Sequence, residues 1–537
     1  MKACVLIVAM SVMVPCLVYG EAKISIIPRP TKIELADGVF EINGGTKITF
    51  DNGLESLGHQ LVGYLKPATG YLFEGRPPYS SIRGNVIVLK KNAELSGLGA
   101  EGYRLEVSKD QIIIEAADGR GIFYGIQSLR QLLPVEIFRE AKVDGVKWVL
   151  PCVEIEDKPR FVWRGMLLDS CRHFMPKEFV KKYIDLLAIH KMNRFHWHLT
   201  DDQGWRVEIK KYPKLTEIGG WRDETVVKEF KDKPSVFDGR RHGGFYTQDD
   251  IREIVAYAKR RCVTIVPEIE MPGHSHAAMA SYPEFSCTGG PFKTGTRWGI
   301  FKDVYCAGND KTIEFLQNVL TEVMELFPGE FIHIGGDECD KDRWKECPKC
   351  QARIKAEALK DEDELQSWFV KQMDSFLASK GRRLIGWDEI LKGGLAEGAA
   401  VMSWHGNRGG NAAAKAGHDA VMASCNYTYF DYLQWLPYKP FHGNYTPLEK
   451  VYSFEVIEDE LTEDEAKHVL GAQGQIWTEH ILDAKHVEYM AFPRACALAE
   501  VVWSAKDGKD YKEFYERLRK HAKRLDILDV NYCGLSE

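Results

Sequence analysis

A chain of 537 residues exceeds one ordinary hydrophobic core, so two domains are expected, one of them large. Its formal charge of −7 comes from 78 acidic and 71 basic residues that are interspersed, with no basic stripe, which excludes nucleic acid as an expected partner. Aromatic residues make up 11% and include 13 Trp, many beside Gly, Asp, Glu or His rather than inside apolar runs. That distribution suits a site with flat apolar faces of the kind sugar rings need, although most tryptophans are simply core.

Met1 to Gly20 read as a signal peptide: Lys2, an apolar run from Ala3 to Val18, and the small residue Gly20 before Glu21. Cleavage is expected after Gly20, with export to the periplasm or secretion. A lipoprotein anchor at Cys16 fits less well, because Pro15 stands where a small residue is wanted. No later stretch is long and apolar enough to span a bilayer. Eleven of the 13 Cys follow Gly20, an odd number too sparse for a disulfide scaffold, so some are expected to be free and buried.

From residue 21 to 157 the chain is strand-like. "GVFEINGGTKITF", "NVIVLKK" and "GYRLEVSKDQIIIEA" alternate apolar and polar residues between Gly, Asn and Asp, and "DGRGIFYGIQSLRQLL" reads as an amphipathic helix over one sheet face. This predicts a small α+β domain. It holds no cluster of His and carboxylates, which argues for a structural role.

Pro159 in "EDKPRFVWRG" breaks the chain before a second rhythm that runs from 158 to 505. Eight short buried strands centre on "WRGMLLD", "NRFHWHL", "CVTIVPEI", "EFIHIGG", "RLIGWDE", "AAVMSW", "AVMASC" and "AQGQIW". Helical stretches alternate with them, among them Lys177 to Lys191, Thr247 to Arg261 and Lys311 to Leu326. Eight strand-helix units predict an α/β fold, a (β/α)8 TIM barrel preceded by the small domain, with the site at the C-terminal ends of the strands. The interval "GGWRDETVVKEFKDKPSVFDGRRHGG" is expected as a loop insertion at that face. The stretch 506–537 is read as an amphipathic helix packed on the barrel, "DYKEFYERLRKHAKRLDIL", and a tail.

The strand ends carry the chemistry. They present Asp169 and Arg172; His196, His198 and Asp201; Glu268, Glu270 and His274; Asp337 and Glu338; Trp387 and Asp388; Trp404 and His405; Tyr429 and Asp431; Trp477 and Glu479. So many polar and aromatic ends on one rim are hard to explain by packing. Asp337 and Glu338 stand out. Neighbours on a regular strand point to opposite faces, but Gly335 and Gly336 relax the backbone just before them and allow both acids to reach one cavity. Paired acids suggest general acid/base work. Cys347 and Cys350 in "ECPKCQ" have zinc-ligand or redox spacing, but with no second C-x-x-C or H-x-x-x-H partner a local disulfide or a plain surface turn is the preferred reading.

"RGMLLDSCRHF", "FHWHLTDDQGWRVEI", "PEIEMPGHSHAA", "HIGGDE", "GWDE" and "QIWTE" resemble, in that order, the motifs of family 20 glycoside hydrolases, the β-N-acetylhexosaminidases. The resemblance covers the whole chain after residue 20, since that family also carries a small α+β domain before its barrel. It implies exo-removal of terminal β-linked N-acetylglucosamine or N-acetylgalactosamine from a glycan or glycoconjugate, with retention of configuration, no metal and no cofactor. It also implies a substrate-assisted route, in which the sugar's own 2-acetamido oxygen attacks the anomeric carbon and forms an oxazolinium intermediate. Carried over residue by residue, Glu338 matches the general acid/base, Asp337 the acceptor of the acetamido N–H, and Tyr429 the donor to the acetamido oxygen. Trp387, Trp404 and Trp477 match the walls of the sugar pocket. Arg172, Asp431 and Glu479 match groups that bond ring hydroxyls, and Asp201 and His274 match a polar chain leading to Glu338. One departure is Glu270, where the family commonly has Asp.

Two other readings compete. His196 and His198 form an H-x-H at a barrel strand end that would suit a metal-dependent amidohydrolase, but the later strand ends carry Trp, Tyr and Glu where such a site needs further His, Lys or Asp. A non-catalytic sugar-binding barrel is opposed by the intact Asp337 and Glu338.

Overall fold

The computed structural model describes residues 24–73, 75–76, 84–229, 233–435 and 444–535. The expected signal peptide, with Cys16, lies outside them. Among the described residues no helix is long and apolar enough to cross a membrane.

The first layer is a seven-stranded mixed sheet of β1 (Lys32–Glu41), β2 (Lys47–Phe50), β3 (Gly75–Arg76), β4 (Val86–Lys91), β5 (Tyr103–Val107), β6 (Gln111–Ala116) and β7 (Val149–Asp157), in the order β1-β7-β5-β6-β4-β2-β3. Alternation decides which side is buried: in β5, Tyr103, Leu105 and Val107 face the core while Arg104 and Glu106 face solvent. The predicted helix is present as Gly119–Leu132, with Asp118 capping its N-terminus through the Arg120 amide. A second helix, Glu55–Thr69, was not anticipated from "ESLGHQLVGYLKPAT"; Pro67 inside its last turn obscures the pattern.

Eight parallel strands close the barrel: β8 (Trp163–Asp169), β9 (Arg194–His198), β10 (Thr264–Glu268), β11 (Phe331–His333), β12 (Arg383–Trp387), β13 (Ala400–Ser403), β14 (Ala420–Met422) and β15 (Val469–Gly474). Each coincides with or overlaps a predicted segment. The last starts earlier than "AQGQIW", because the buried strand includes Val469 and Leu470. Trp163, Leu167, Val266, Phe331, Ile385, Trp387, Met402 and Val421 cluster inside the barrel, and a separate, larger apolar cluster fills the layer between strands and helices. Helix Gln248–Lys259 begins at a capping box of Thr247 and Asp250. The predicted insertion after β9 holds two short antiparallel pairs, Trp221–Arg222 with His242–Gly243 and Val226–Lys228 with Val236–Phe237.

The terminal helix, Tyr511–Ile527, contributes Phe514, Leu518 and Leu525 to the barrel's outer layer. It also reaches the first domain, where Arg524 donates to the Ser25 and Gln131 carbonyls.

Cys347 and Cys350 correct the reading made of them. Neither forms a disulfide and neither sits on a surface turn: both are buried, facing the thiols of Cys287 and Cys306. The sequence separations hide this cluster, because its members come from loops that only barrel closure brings together.

Candidate active site

Asp337 and Glu338 follow β11 at a sharp break in the chain. Gly335 and Gly336 have φ of 69° and 92°, and Glu338 itself is held at 45°. Gly335 is required by space as well as by φ: a Cβ there would lie 1.7 Å from Glu270 Oε2. The added methylene of Glu270 is therefore accommodated against a bare backbone. The break brings both acids onto one cavity of about 290 Å³, lined also by Arg172, His274, Trp387, Trp404, Tyr429, Asp431, Trp477 and Glu479. Of the catalytic and substrate-binding residues expected from the sequence, Asp201 alone does not line it. A larger cavity, about 530 Å³, lies between the segment around Ile26 and the terminal helix; its lining charges include Arg29 and Arg517, each ion-paired with Glu513.

His274 links the two acids, its Nε2 3.6 Å from Asp337 Oδ2 and 3.4 Å from Glu338 Oε2, while its Nδ1 bonds Asp202 at 2.9 Å. Burial opposes charge on this imidazole, but Asp201 and Asp337 push its proton affinity well above the ordinary histidine value. The acids divide. Burial raises the Asp337 carboxyl to about 8, against the opposing pull of His274, whereas the His274 hydrogen bond holds Glu338 below its ordinary value. Asp337 Oδ1 is buried without a hydrogen-bond partner, an acceptor aimed at something not part of the chain.

Asp201 sits one layer deeper. Its Oδ2 lies 2.9 Å from both Arg172 Nη2 and His198 Nε2. His198 also bonds Glu268, and although burial disfavours its charge, Glu268 pushes it up to about 10. His196 contacts Glu268 at 3.2 Å but is lowered to about 4 by burial. His198 thus lies between two carboxylates of the chain itself, Glu268 at one ring nitrogen and Asp201 at the other. Arg172 is fixed by Asp201, by Gln203 Oε1 at 3.1 Å and by Asp169 Oδ2 at 3.3 Å, and its guanidinium lies 5.2 Å from the Trp477 ring centre.

Trp387 donates to Glu268 at 2.9 Å and Trp404 to Glu389 at 3.0 Å, which fixes two aromatic walls. Trp477 lies 5.7 Å from Trp387, and Tyr429 stacks 6.1 Å from Trp404. At the far end Asp431 and Glu479 are both raised, Asp431 well above its ordinary value, chiefly by burial, and Asp431 Oδ1 has no partner.

Asp388 and His405 do not join the cavity. They pair with each other at 2.8 Å, while the next residue, Glu389, bonds the Trp404 wall. Asp202, Gln203, His333 and Glu389 were not singled out in the sequence. Asp202 and Glu389 adjoin residues that were, and strand alternation alone could not choose between neighbours in a turn.

Comparison with known proteins follows the same division of the chain. The model "Glycosyl hydrolase family 20, catalytic domain" matches residues 161–506, and "Glycosyl hydrolase family 20, domain 2" matches residues 23–158. A β-hexosaminidase of Porphyromonas gingivalis is 44% identical over 516 residues, covering 95% of this chain and 64% of that protein. The chain thus spans just under two thirds of that relative's length. Among solved structures, the GH20 β-N-acetylhexosaminidase of Streptomyces coelicolor A3(2) superposes with a TM-score of 0.83 at 32% identity, covering 96% of this chain and 98% of that one. The GH20 exo-β-N-acetylglucosaminidase of Vibrio harveyi in complex with N-acetylglucosamine also gives 0.83 at 32% identity, covering 95% and 78%.

Proposed function

The chain belongs to glycoside hydrolase family 20, and we propose that it is an exo-acting β-N-acetylhexosaminidase, releasing terminal N-acetylglucosamine or N-acetylgalactosamine with retention of configuration. The observation that carries this reading is the adjacent pair Asp337 and Glu338 on one aromatic-walled cavity of about 290 Å³. That volume is at the small end of ligand sites, room for a single sugar ring, which favours chain ends over internal units.

The acetamido oxygen of the bound sugar attacks the anomeric carbon while Glu338 gives its proton to the glycosidic oxygen, so the aglycone leaves as an alcohol and an oxazolinium ring forms. Asp337 Oδ1 accepts the acetamido N–H and offsets the positive charge growing on that group. Tyr429 donates its hydroxyl to the attacking oxygen, and Trp387, Trp404 and Trp477 enclose the methyl and the sugar face. Glu338, now ionised, takes a proton from water as that water adds to the anomeric carbon and opens the ring. Arg172, Asp431 and Glu479 bond the ring hydroxyls, while Asp201 acts through Arg172 and His198 rather than on the sugar.

In the free site burial raises the Asp337 carboxyl and His274 lowers that of Glu338, the reverse of the order that the reaction needs. Substrate corrects this. An N–H donor favours the carboxylate of Asp337, and a sugar covering Glu338 removes water and favours its acid form. His274, within 3.6 Å of both, is placed to pass the proton between them. The leader-like stretch Met1–Gly20 supports a place of action outside the cytoplasm.

The test is nitrophenol release from 4-nitrophenyl N-acetyl-β-glucosaminide and its galactosaminide counterpart. Glu338→Gln and Asp337→Asn are each expected to lower kcat by about 10²-fold or more, and brief EDTA treatment to leave the wild type unchanged. A wild type inactive on both sugars overturns the proposal.

A further inference from the structure

Away from the cavity, four thiols meet. Cys287 and Cys306 lie on the stretch between helices His276–Ser281 and Asp310–Leu326, and Cys347 and Cys350 flank the start of helix Pro348–Ala356. The pattern is C-x18-C-x40-C-x2-C, with three members buried and Cys287 half-buried. The sulfurs of Cys287 and Cys350 are 3.8 Å apart, those of Cys306 and Cys347 3.8 Å, and those of Cys306 and Cys350 3.7 Å; all four lie within 4.8 Å of one another. A disulfide needs about 2.05 Å, so these are not bonded pairs. A tetrahedron of sulfurs about 2.3 Å from a central ion has edges of about 3.8 Å, which these three pairs match.

The surroundings fit an ion as well. The Gly308 amide faces the sulfurs of Cys306 and Cys350, the kind of N–H donor that supports a ligating thiolate. Gly308 also has to be glycine, since a Cβ there would come within 2.2 Å of the Lys349 carbonyl carbon and 2.4 Å of the Cys350 nitrogen. Two chain turns therefore approach as closely as backbone allows, with their sulfurs between them.

We propose that Cys287, Cys306, Cys347 and Cys350 form a structural site for Zn2+. Four thiolates are the ligand set that zinc prefers, and they leave no open position for water, so the site holds structure and does no chemistry. What it holds is the active-site rim. The first two ligands follow the stretch that carries His274, and the last two follow Asp337 and Glu338. The same stretches are joined by the Tyr305 amide to the Pro272 carbonyl at 3.0 Å, by the Trp344 indole to the Tyr305 carbonyl at 2.9 Å, and by Arg343 to Asp303 at 2.9 Å. An ion here would lock the two segments that must keep His274 against the acid pair.

The full chain, purified without reductant or chelator from cells grown with added zinc, is expected to carry about one zinc per chain by elemental analysis. Exchange of that zinc for Co2+ should give the strong sulfur-to-cobalt charge-transfer absorption and visible bands of a tetrahedral thiolate site. Cys287→Ser, at the most accessible ligand, should lose zinc and lower Tm, and the cobalt spectrum of the wild type keeps the test decisive if that variant misfolds. Neither readout depends on turnover. A wild type with no bound zinc, or mass spectrometry showing these four cysteines joined as disulfides, overturns the proposal.

Discussion

Asp337 and Glu338 are chemically similar carboxyls one residue apart, yet they are driven in opposite directions by what surrounds them. Asp337 is withdrawn from water and raised to about 8, while Glu338, with its side chain 36% exposed, is held down by His274. The raised group has a consequence for stability. A carboxyl that binds its proton more tightly when folded supports the folded state below its ordinary range, and that support is lost as pH rises through the folded value. The wild type should therefore lose stability relative to Asp337→Asn between about pH 4 and pH 8, read as a Tm difference that shifts steadily in favour of the variant. A difference that stays flat across that range would show that Asp337 is not raised in the free protein.

At the level of the element, the site depends on how β11 ends. Three buried residues, Phe331 to His333, pair with β12, and the chain then turns through Gly335 and Gly336 instead of continuing the ladder. Glu270 fills the space that a side chain at Gly335 would need. Gly335→Ala should therefore displace Glu270 and tilt the acid pair, lowering kcat/KM by about 10²-fold, the order expected for a misplacement of about 1 Å, and lowering Tm as well. Adding Glu270→Asp should recover part of the loss by shortening the side chain that is struck. Full activity in the single variant would mean that the turn can shift without moving Asp337 and Glu338.

Across the whole molecule, buried ions tie the small domain to the barrel. Arg164 on β8 meets Glu101 at 2.8 and 3.0 Å, and Lys191, fully buried, meets Asp157 at the end of β7 at 2.8 Å. Trp503 donates to the same Asp157 at 2.9 Å and lies under the Lys191 ammonium. Replacing Lys191 by Met leaves Asp157 buried without its cation, and urea unfolding should register a loss of about 3–5 kcal/mol. Lys191 does not line the cavity, so kcat for the folded fraction should be unchanged. A loss below about 1 kcal/mol would show that the Lys191–Asp157 pair adds little to the docking of the two domains.

Much of this architecture was legible before any coordinates. Alternating burial in β5, the helix starting near Thr247 and the eight apolar strand segments are set by residues close in sequence, and local rules read them. The Gly-Gly break before Asp337 is local too, and it pointed to one cavity for both acids. Tertiary structure alone decided that Glu389 accepts from Trp404 while its neighbour Asp388 pairs with His405. It decided that Asp201 supports Arg172 and His198 instead of lining the cavity. It set the opposite pulls on the two acids, burial raising Asp337 and His274 lowering Glu338. And it gathered Cys287 and Cys306 onto Cys347 and Cys350, since sulfurs far apart in sequence become neighbours only when the barrel closes and its loops share one rim.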